Sequence, residues 1–160
     1  MARTNSSFSK EVHLFINKTN TKITLIKRLA IYNLFSNIVD RTPKWIDGHP
    51  HSGTAKWNWK ISIGALRNSV LKGKDPEGSR TKDRGFRELK EMTDEDQDIY
   101  IENAVPYIFL LEEGGYPDPS TASNPRTIGG FSTQAPEGML RISAMEWNMD
   151  VDTATKEVRI

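Results

Sequence analysis

Residues 8–39 read FSKEVHLFINKTNTKITLIKRLAIYNLFSNIV. Apolar or tolerated residues recur there at steps of three and four, which is the spacing of one helical face. They are Phe8, Val12, Phe15, Thr19, Ile23, Ile26, Ala30, Leu34 and Ile38. The pattern predicts one long N-terminal helix that ends at Arg41-Thr42-Pro43, because proline disfavours the helical region for its predecessor. The stretch Asn17–Lys22 is a poor helix former, so a break there would leave two shorter helices.

Two shorter segments alternate between apolar and polar residues, which is typical of half-buried strands. The first spans Thr54 to Ala65, and the second spans Asp98 to Asn103. In the first segment, Trp57, Trp59, Ile61 and Ile63 share one side, and Lys56, Asn58, Lys60 and Ser62 share the other. The alternation therefore predicts that both tryptophans face the core and that both lysines lie on the opposite side.

The segments between and after these strands predict further elements. Lys72 to Gln97 is dense in charge of both signs and contains glycine and proline, so we expect an exposed excursion there. Proline in the first turn and glycine at the end predict a short helix from Val105 to Gly114. Tyr116 to Ala135 is expected to form a long loop, of the kind that is often functional. Pro136 opens another short helix, and Thr155 to Ile160 predicts a final strand.

This order of elements predicts an α+β fold in a single domain of residues 1–160. A long N-terminal helix and short C-terminal helices pack on a small, mostly antiparallel β-sheet, with long extended loops. A chain of 160 residues is long enough to bury its own core without a metal or a disulfide. Hydrophobic residues make up only 36% of it, which is low for a self-contained globule. Either much of the chain is extended and solvated, or partner subunits supply part of the burial.

The composition also excludes several classes of chemistry and of partner. The chain has no cysteine, so it forms no disulfide, no thiolate metal site and no cysteine nucleophile. Its formal net charge of +1 gives no long-range field toward nucleic acid or an anionic membrane. No apolar run approaches the ~20 residues that cross a bilayer. We therefore expect no membrane partner.

Titratable residues do not form a recognisable catalytic pattern. The histidines are His13, His49 and His51. The histidines at positions 49 and 51 could bind a metal, but only Asp47 lies nearby in the sequence as a third ligand. Catalytic zinc sites need three protein ligands. The adjacent Glu112 and Glu113 point in different directions on a helix, so they do not converge as a general acid and base. We expect no cofactor, no metal and no enzymatic activity.

A basic stretch in the middle of the chain is a candidate contact for DNA. Its cations are Lys72, Lys74, Arg80, Lys82 and Arg84. Acidic residues interrupt the stretch, so it predicts occasional contact with the phosphate backbone and no reading of base sequence. The lysines and tryptophans of residues 54–65 could also hold phosphates and stack bases, but the alternation places the two types on opposite sides.

Two short blocks in the second half of the chain carry a family resemblance. Residues 101–107 read IENAVPY and are followed by LEEGG at 111–115, and residues 135–141 read APEGMLR. The first block is a strand that ends in asparagine, a proline–tyrosine helix start and a leucine–glutamate–x–glycine stop. The second is an alanine–proline turn before the last helix. Together with the amphipathic N-terminal helix, these blocks resemble the tail-component family of tailed double-stranded-DNA phages.

The resemblance implies a structural virion protein of the neck or tail, present in the host cytoplasm during assembly. Such subunits form rings, commonly sixfold, that join head to tail and let DNA pass. Their partners are further copies and neighbouring neck, tail-terminator or tail-tube proteins. Tail completion, tail termination and a head-side position in the neck remain alternatives, as does, from another class, a small DNA-binding module.

The same resemblance gives the residues that are candidates for the family motif and the subunit interface. They are Asn103, Pro106, Tyr107, Leu111, Glu112, Gly114, Pro136, Gly138, Met139 and Arg141. Glu112 and Arg141 lie beside tight turns and are expected to pair within or between subunits. The loop of residues 116–134 is the candidate for docking on the next ring or for lining the channel.

Overall fold

The computed structural model describes residues 5–44, 50–93, 98–114, 127–128 and 131–158. In the first half of the chain the elements are α1 (Asn5–Arg41), α2 (Thr54–Trp57), β1 (Lys60–Ile63), α3 (Ser79–Lys90) and β2 (Ile99–Glu102). In the second half they are α4 (Ile108–Glu113), β3 (Thr127–Ile128), β4 (Phe131–Ser132), α5 (Leu140–Met145) and α6 (Trp147–Val158). The predicted α+β class, with a long N-terminal helix, short C-terminal helices and a small antiparallel sheet, is confirmed.

Helix α1 runs without interruption for 37 residues, which corresponds to about 55 Å. No break occurs in the polar stretch around residue 20, where threonine hydroxyls bond to carbonyl groups of the same helix. The hydroxyls of Thr19 and Thr21 donate to the carbonyls of Phe15 and Asn17, each at 2.9 Å. The helix ends as predicted, where the hydroxyl of Thr42 donates to the carbonyl of Ile38 at 2.7 Å.

Strands β1 and β2 form an antiparallel pair in which Lys60 faces Glu102 and Ile63 faces Ile99. Strands β3 and β4 form a second, two-residue antiparallel pair. The core lies between the β1–β2 sheet and the C-terminal half of α1. Its largest fully buried side chains include those of Phe35, Ile38, Ile61, Leu89, Met92 and Met139. Helices α3 and α6 both pack on α1.

The first predicted strand was too long, because residues 54–57 form the helical turn α2. Gly53 precedes it with a φ of 79°, and a Cβ there would lie 2.3 Å from the nitrogen of Pro76. The side-chain oxygen of Asn58 accepts a hydrogen bond from the backbone N–H of Leu71 at 2.7 Å. Its side-chain nitrogen donates to the carbonyl of Thr54 at 2.9 Å. At these residues, the hydrogen bonds of a helical turn and of the Asn58 side chain stand in place of the strand pairing that the alternation predicted.

The segment was predicted to be half-buried, but the side of its two lysines is covered as well. Lys56 and Lys60 are both buried. The ammonium of Lys60 donates to the carbonyl of Ser69 at 2.7 Å, so the extended loop after β1 satisfies it. Burial lowers the pKa of Lys56, and nearby Asp40 raises it less than burial lowers it. Of the two tryptophans, Trp59 is buried and its indole N–H donates to the hydroxyl of Thr42 at 2.7 Å.

Helix α3 lies inside the segment of residues 72–97 that was predicted to be an exposed excursion. Its charged residues are exposed or half-buried, and Thr81, Gly85 and Leu89 form a buried face at steps of four. A Cβ at residue 85 would lie 2.4 Å from the ring of Phe35, so glycine allows α3 to approach α1 closely. Two of the three residues of this face, Thr81 and Gly85, carry no apolar signal, and for that reason the periodicity was not evident from the sequence.

The C-terminal predictions need three corrections. Residues 155–158 belong to helix α6 and do not form a strand, because Trp147, Asp150 and Ala154 turn one helical face toward α1. Pro136 lies in a turn, and α5 begins only at Leu140. The predicted loop of residues 116–135 contains the β3–β4 pair, while its residues 116–126 and 129–130 lie outside the described part of the chain.

Candidate functional site

Glu112 joins the two motif blocks. Its carboxylate accepts the backbone N–H of Met139 at 2.7 Å, of Leu140 at 2.9 Å and of Arg141 at 2.9 Å. These are unsatisfied donors of the first turn of α5, which otherwise has no side-chain cap. Hydrogen bonds from neutral N–H groups to a carboxylate are among the stronger ones in proteins. One side chain of α4 therefore fixes the start of α5.

Two glycines shape the backbone around this carboxylate. Gly114 ends α4 with a φ of 75°, as predicted for the end of this helix. Gly138 has a φ of 78°, and a Cβ there would lie 2.8 Å from Oε1 of Glu112 and 3.3 Å from the guanidinium of Arg141. The turn before it closes when the N–H of Gly138 donates to the carbonyl of Ala135 at 3.0 Å. Both glycines are thus required by backbone conformation, and Gly138 also by space.

The remaining motif residues divide between the inside and the outside of this unit. Leu111 and Met139 are buried in the core. The side-chain amide of Asn103 donates to the carbonyl of Ala55 at 2.9 Å, and its oxygen accepts the N–H of Val105 at 3.2 Å. That arrangement fixes the chain between β2 and α4. The exposed motif residues are Pro106, Tyr107, Pro136 and Arg141.

The guanidinium of Arg141 lies 3.6 Å from the carboxylate of Glu113. Both side chains are more than a third exposed, so this ion pair contributes little to folding. The residues expected to pair, Glu112 and Arg141, do interact within one chain through the backbone N–H of Arg141. Pairing between subunits remains a prediction.

An open groove lies beside this unit. It has a volume of about 200 Å³. Its lining residues are Trp59, Ile101, Asn103, Ile108, Phe109, Glu112, Met139 and Leu140. Phe109 at its edge is 66% exposed, and Leu140 is also exposed. We call this feature the α4–α5 groove. Most of its lining is apolar, and the exposed Glu113 and Glu137 lie one and two residues along the chain from its lining residues Glu112 and Met139.

Sequence reasoning named the motif residues around this groove but missed its exposed apolar residues, Phe109 and Leu140. The spacing within α4 contains a signal for Phe109. Ile108 and Leu111 are three apart and face inward, so residue 109 must lie on another side of the helix. An exposed phenylalanine on a six-residue helix is informative only because it borders a concave apolar surface.

The five cations predicted to contact DNA lie on the loop after β1 and on α3. Lys72 and Lys74 are exposed. The Arg84 guanidinium lies 4.2 Å from the centre of the Trp57 ring, and it donates to the carbonyl of Trp59 at 2.9 Å. Lys82 pairs with Asp40 at 2.8 Å, and Arg80 also lies over the Trp57 ring. Lys82, Arg84 and Arg80 are thus engaged within the chain.

The titratable residues considered for catalysis are dispersed. His13 and His51 are exposed on different segments, while His49 and Asp47 lie outside the described residues. Within the part of the chain that the structure describes, no cluster of three or more His, Asp or Glu side chains could hold a metal ion. None of the helices in those ranges is sufficiently long and apolar to cross a membrane.

Comparison of the chain with protein-family models, with curated proteins and with solved structures gives no match.

Proposed function

We propose that this protein is a structural subunit of a tailed phage, which forms a ring in the neck or at the top of the tail and does no bond chemistry. The proposal starts from the resemblance of residues 101–115 and 135–141 to the tail-component family. It is supported by the way these two blocks meet, since Glu112 of the first holds the N–H groups of the second. The blocks act as one structural unit beside an open groove.

The observation that carries the proposal is the amount of apolar surface that one chain leaves uncovered. Leu14, Phe15, Phe109, Met145 and Met149 are each about two-thirds exposed or more. Contiguous exposed apolar surface is typical of contact surfaces in proteins, and Phe109 lines the mostly apolar α4–α5 groove. A subunit that is completed by further copies accounts both for these residues and for the low apolar content of the chain.

A DNA-binding module is the alternative from another class. The exposed Lys72 and Lys74 favour some contact with the phosphate backbone. The engagement of Lys82 with Asp40 and of Arg84 with Trp57 and Trp59 leaves fewer cations for it. Weak binding without sequence preference fits a ring that only surrounds DNA, which is the role we propose for this surface.

Electron microscopy of lysates tests the proposal, with a phage in which this reading frame is interrupted. Full heads beside separate, finished tails are the expected result, and they indicate tail completion or neck closure. Tails of uncontrolled length would assign the subunit to tail termination. Intact, infectious particles would overturn the structural role, and tight, salt-dependent binding of duplex DNA by the purified protein would then support the alternative.

A further inference from the structure

The first half of α1 carries an apolar face that the rest of the chain does not cover. We call residues 9–28 the arm, since none of the side chains in this range is buried, and Ala30 is the first buried residue after it. Phe15 is 73% exposed and Leu14 is 68% exposed. The predicted apolar face of the long helix is therefore covered near its C-terminal end and open along the arm.

Four of the six exposed large apolar residues of the arm form a stripe, and Leu14 and Leu25 lie elsewhere around the helix. At 100° per residue, Val12, Phe15, Ile16 and Ile23 fall within about 100° of one another around the helix axis. Leu14 lies on the opposite side of the arm, outside this stripe. A stripe of this width is what a helix presents to a partner surface. Leu14 is about as exposed as Phe15 but lies outside the stripe, so it can serve as a control position in experiments on the stripe.

The charge of the arm indicates what kind of surface could cover the stripe. Five basic residues and one acidic residue give residues 9–28 a formal charge of +4. Two arms packed together would bring like charges into contact, which is unfavourable. The segments that carry the α4–α5 groove, residues 98–114 and 131–146, hold six acidic residues and one basic residue, a formal charge of −5. The two surfaces are complementary in charge.

The shapes also correspond. The α4–α5 groove has a volume of about 200 Å³, and an apolar cavity of about 150 Å³ is enough to hold a benzene ring. The groove therefore admits one aromatic side chain. Phe15 is the most exposed large apolar residue of the arm. Phe109 and Leu140 are exposed lining residues of the groove. The exposed Glu113 and Glu137 lie close to its lining residues along the chain, and we call these two glutamates its acidic rim.

We infer that the arm of one copy docks on the α4–α5 groove of a second copy, with Phe15 inserted in the groove and the arm lysines beside the acidic rim. The contact joins two different surfaces, so a docked pair still has one free arm and one free groove. Further copies can therefore add, and they form a ring when the rotation between neighbours closes. This inference rests on the proposed ring function and names the surfaces that would form the ring.

The test compares Phe15→Ala with the control Leu14→Ala by sedimentation of the purified full chain over a range of concentrations. Both variants remove an exposed side chain from the same turn of the arm, so they cost folding equally little. We expect Phe15→Ala to weaken self-association at least about tenfold, as for an aromatic anchor of an interface, and Leu14→Ala to stay within about threefold. Equal effects of the two changes would overturn the inference.

Charge reversal tests which surface receives the arm. The arm variant changes Lys10, Lys18 and Lys22 to Glu, and the groove variant changes Glu113 and Glu137 to Lys. Neither includes Glu112, which fixes α5. The arm variant has a formal charge of −2 against groove segments that remain at −5, so it should lose self-association. The groove variant lowers the charge of these segments from −5 to −1 and should weaken self-association. Undiminished self-association of the two variants would show that the arm and the groove do not meet.

Two further outcomes separate this inference from the proposed function. A wild-type chain that stays monomeric up to its solubility limit would overturn the arm contact, while the phage experiment would still decide the ring function. A basic amphipathic helix can also lie on an anionic membrane. Binding to vesicles of equal phosphatidylcholine and phosphatidylglycerol that Phe15→Ala abolishes, without any change in self-association, would replace the inferred partner with a lipid surface.

Discussion

The carboxylate of Glu112 lies 2.7 Å from the backbone nitrogen of Met139, which is 27 residues further along the chain. A cap is usually supplied by the residue just before the helix that it stabilises. Here a different helix supplies it, so the capping bond is also a tertiary contact. The start of α5 and the groove beside it therefore depend on the position of α4.

Replacing Glu112 with Ala should lower the free energy of unfolding by about 2 kcal/mol, because three N–H groups of α5 lose a charged acceptor. Urea denaturation of the purified protein measures this change. Glu113→Ala is the matched control, since the neighbouring carboxylate makes an exposed ion pair, and its cost should stay within about 0.5 kcal/mol. Equal costs for the two variants would contradict the capping role.

Gly138→Ala should destabilise the protein through two separate effects. A left-handed φ of 78° costs any L-residue about 1 kcal/mol, and the new methyl group would also press on Glu112. Gly64→Ala isolates the first effect, because Gly64 has the same φ and no atom lies within 4 Å of its Cβ position. The midpoint of urea unfolding should fall more for Gly138→Ala, and an equal fall would show that Glu112 moves freely.

Gly85→Ala should destabilise the fold, although the same change usually stabilises the interior of a helix. The added methyl group would lie 2.4 Å from the Phe35 ring, and overpacking of this kind costs about 1–3 kcal/mol. The double variant Gly85→Ala with Phe35→Leu should lose less stability than the two single changes together. Purely additive losses, measured by thermal or urea unfolding, would mean that α3 and α1 do not meet at this point.

The pH dependence of stability should contain a contribution from Glu102. Burial raises the pKa of Glu102, but hydrogen bonds from the Ser62 hydroxyl and from the N–H groups of Arg67 and Asn68 outweigh it and leave the pKa below its ordinary value of 4.5. The folded state therefore binds this proton less readily than the unfolded state. The stabilisation is present above about pH 4.5 and is lost as the pH falls through the folded-state pKa. The variant Glu102→Gln should lack this pH-dependent stabilisation.

Asp150 provides a control of opposite sign. Burial and the nearby Glu146 raise the pKa of Asp150 above its ordinary value of 3.8, and Asn37 and Arg41 lower it less. Ionisation of Asp150 therefore destabilises the folded state as the pH rises through the raised pKa. Asp150→Asn should be more stable than wild type at neutral pH and lose that advantage below about pH 3.8. Urea titrations from pH 3 to pH 8 that gave both variants the same sign would contradict this assignment.

The sequence predicted elements whose pattern is strong and local. Strand β2 was identified by its alternation, and α1 by a long apolar period that ends at a proline. Helix α3 was missed because its buried face is formed by Thr81, Gly85 and Leu89, two of which carry no apolar signal. The motif residues of the candidate site were named from sequence. That Glu112 would cap a helix 27 residues away was not predictable, because the contact depends on how α4 and α5 pack.

The open arm has a consequence for how the chain folds. A helical segment that lies outside the core relies on its own backbone hydrogen bonds, and such segments are only marginally stable in water. Asn17, Thr19 and Thr21 weaken it further. We therefore expect these turns of the isolated chain to stand in a helix–coil equilibrium, which the inferred docking would shift toward helix. That docking would then include a local folding step, and amide hydrogen exchange along residues 9–28 would measure it directly.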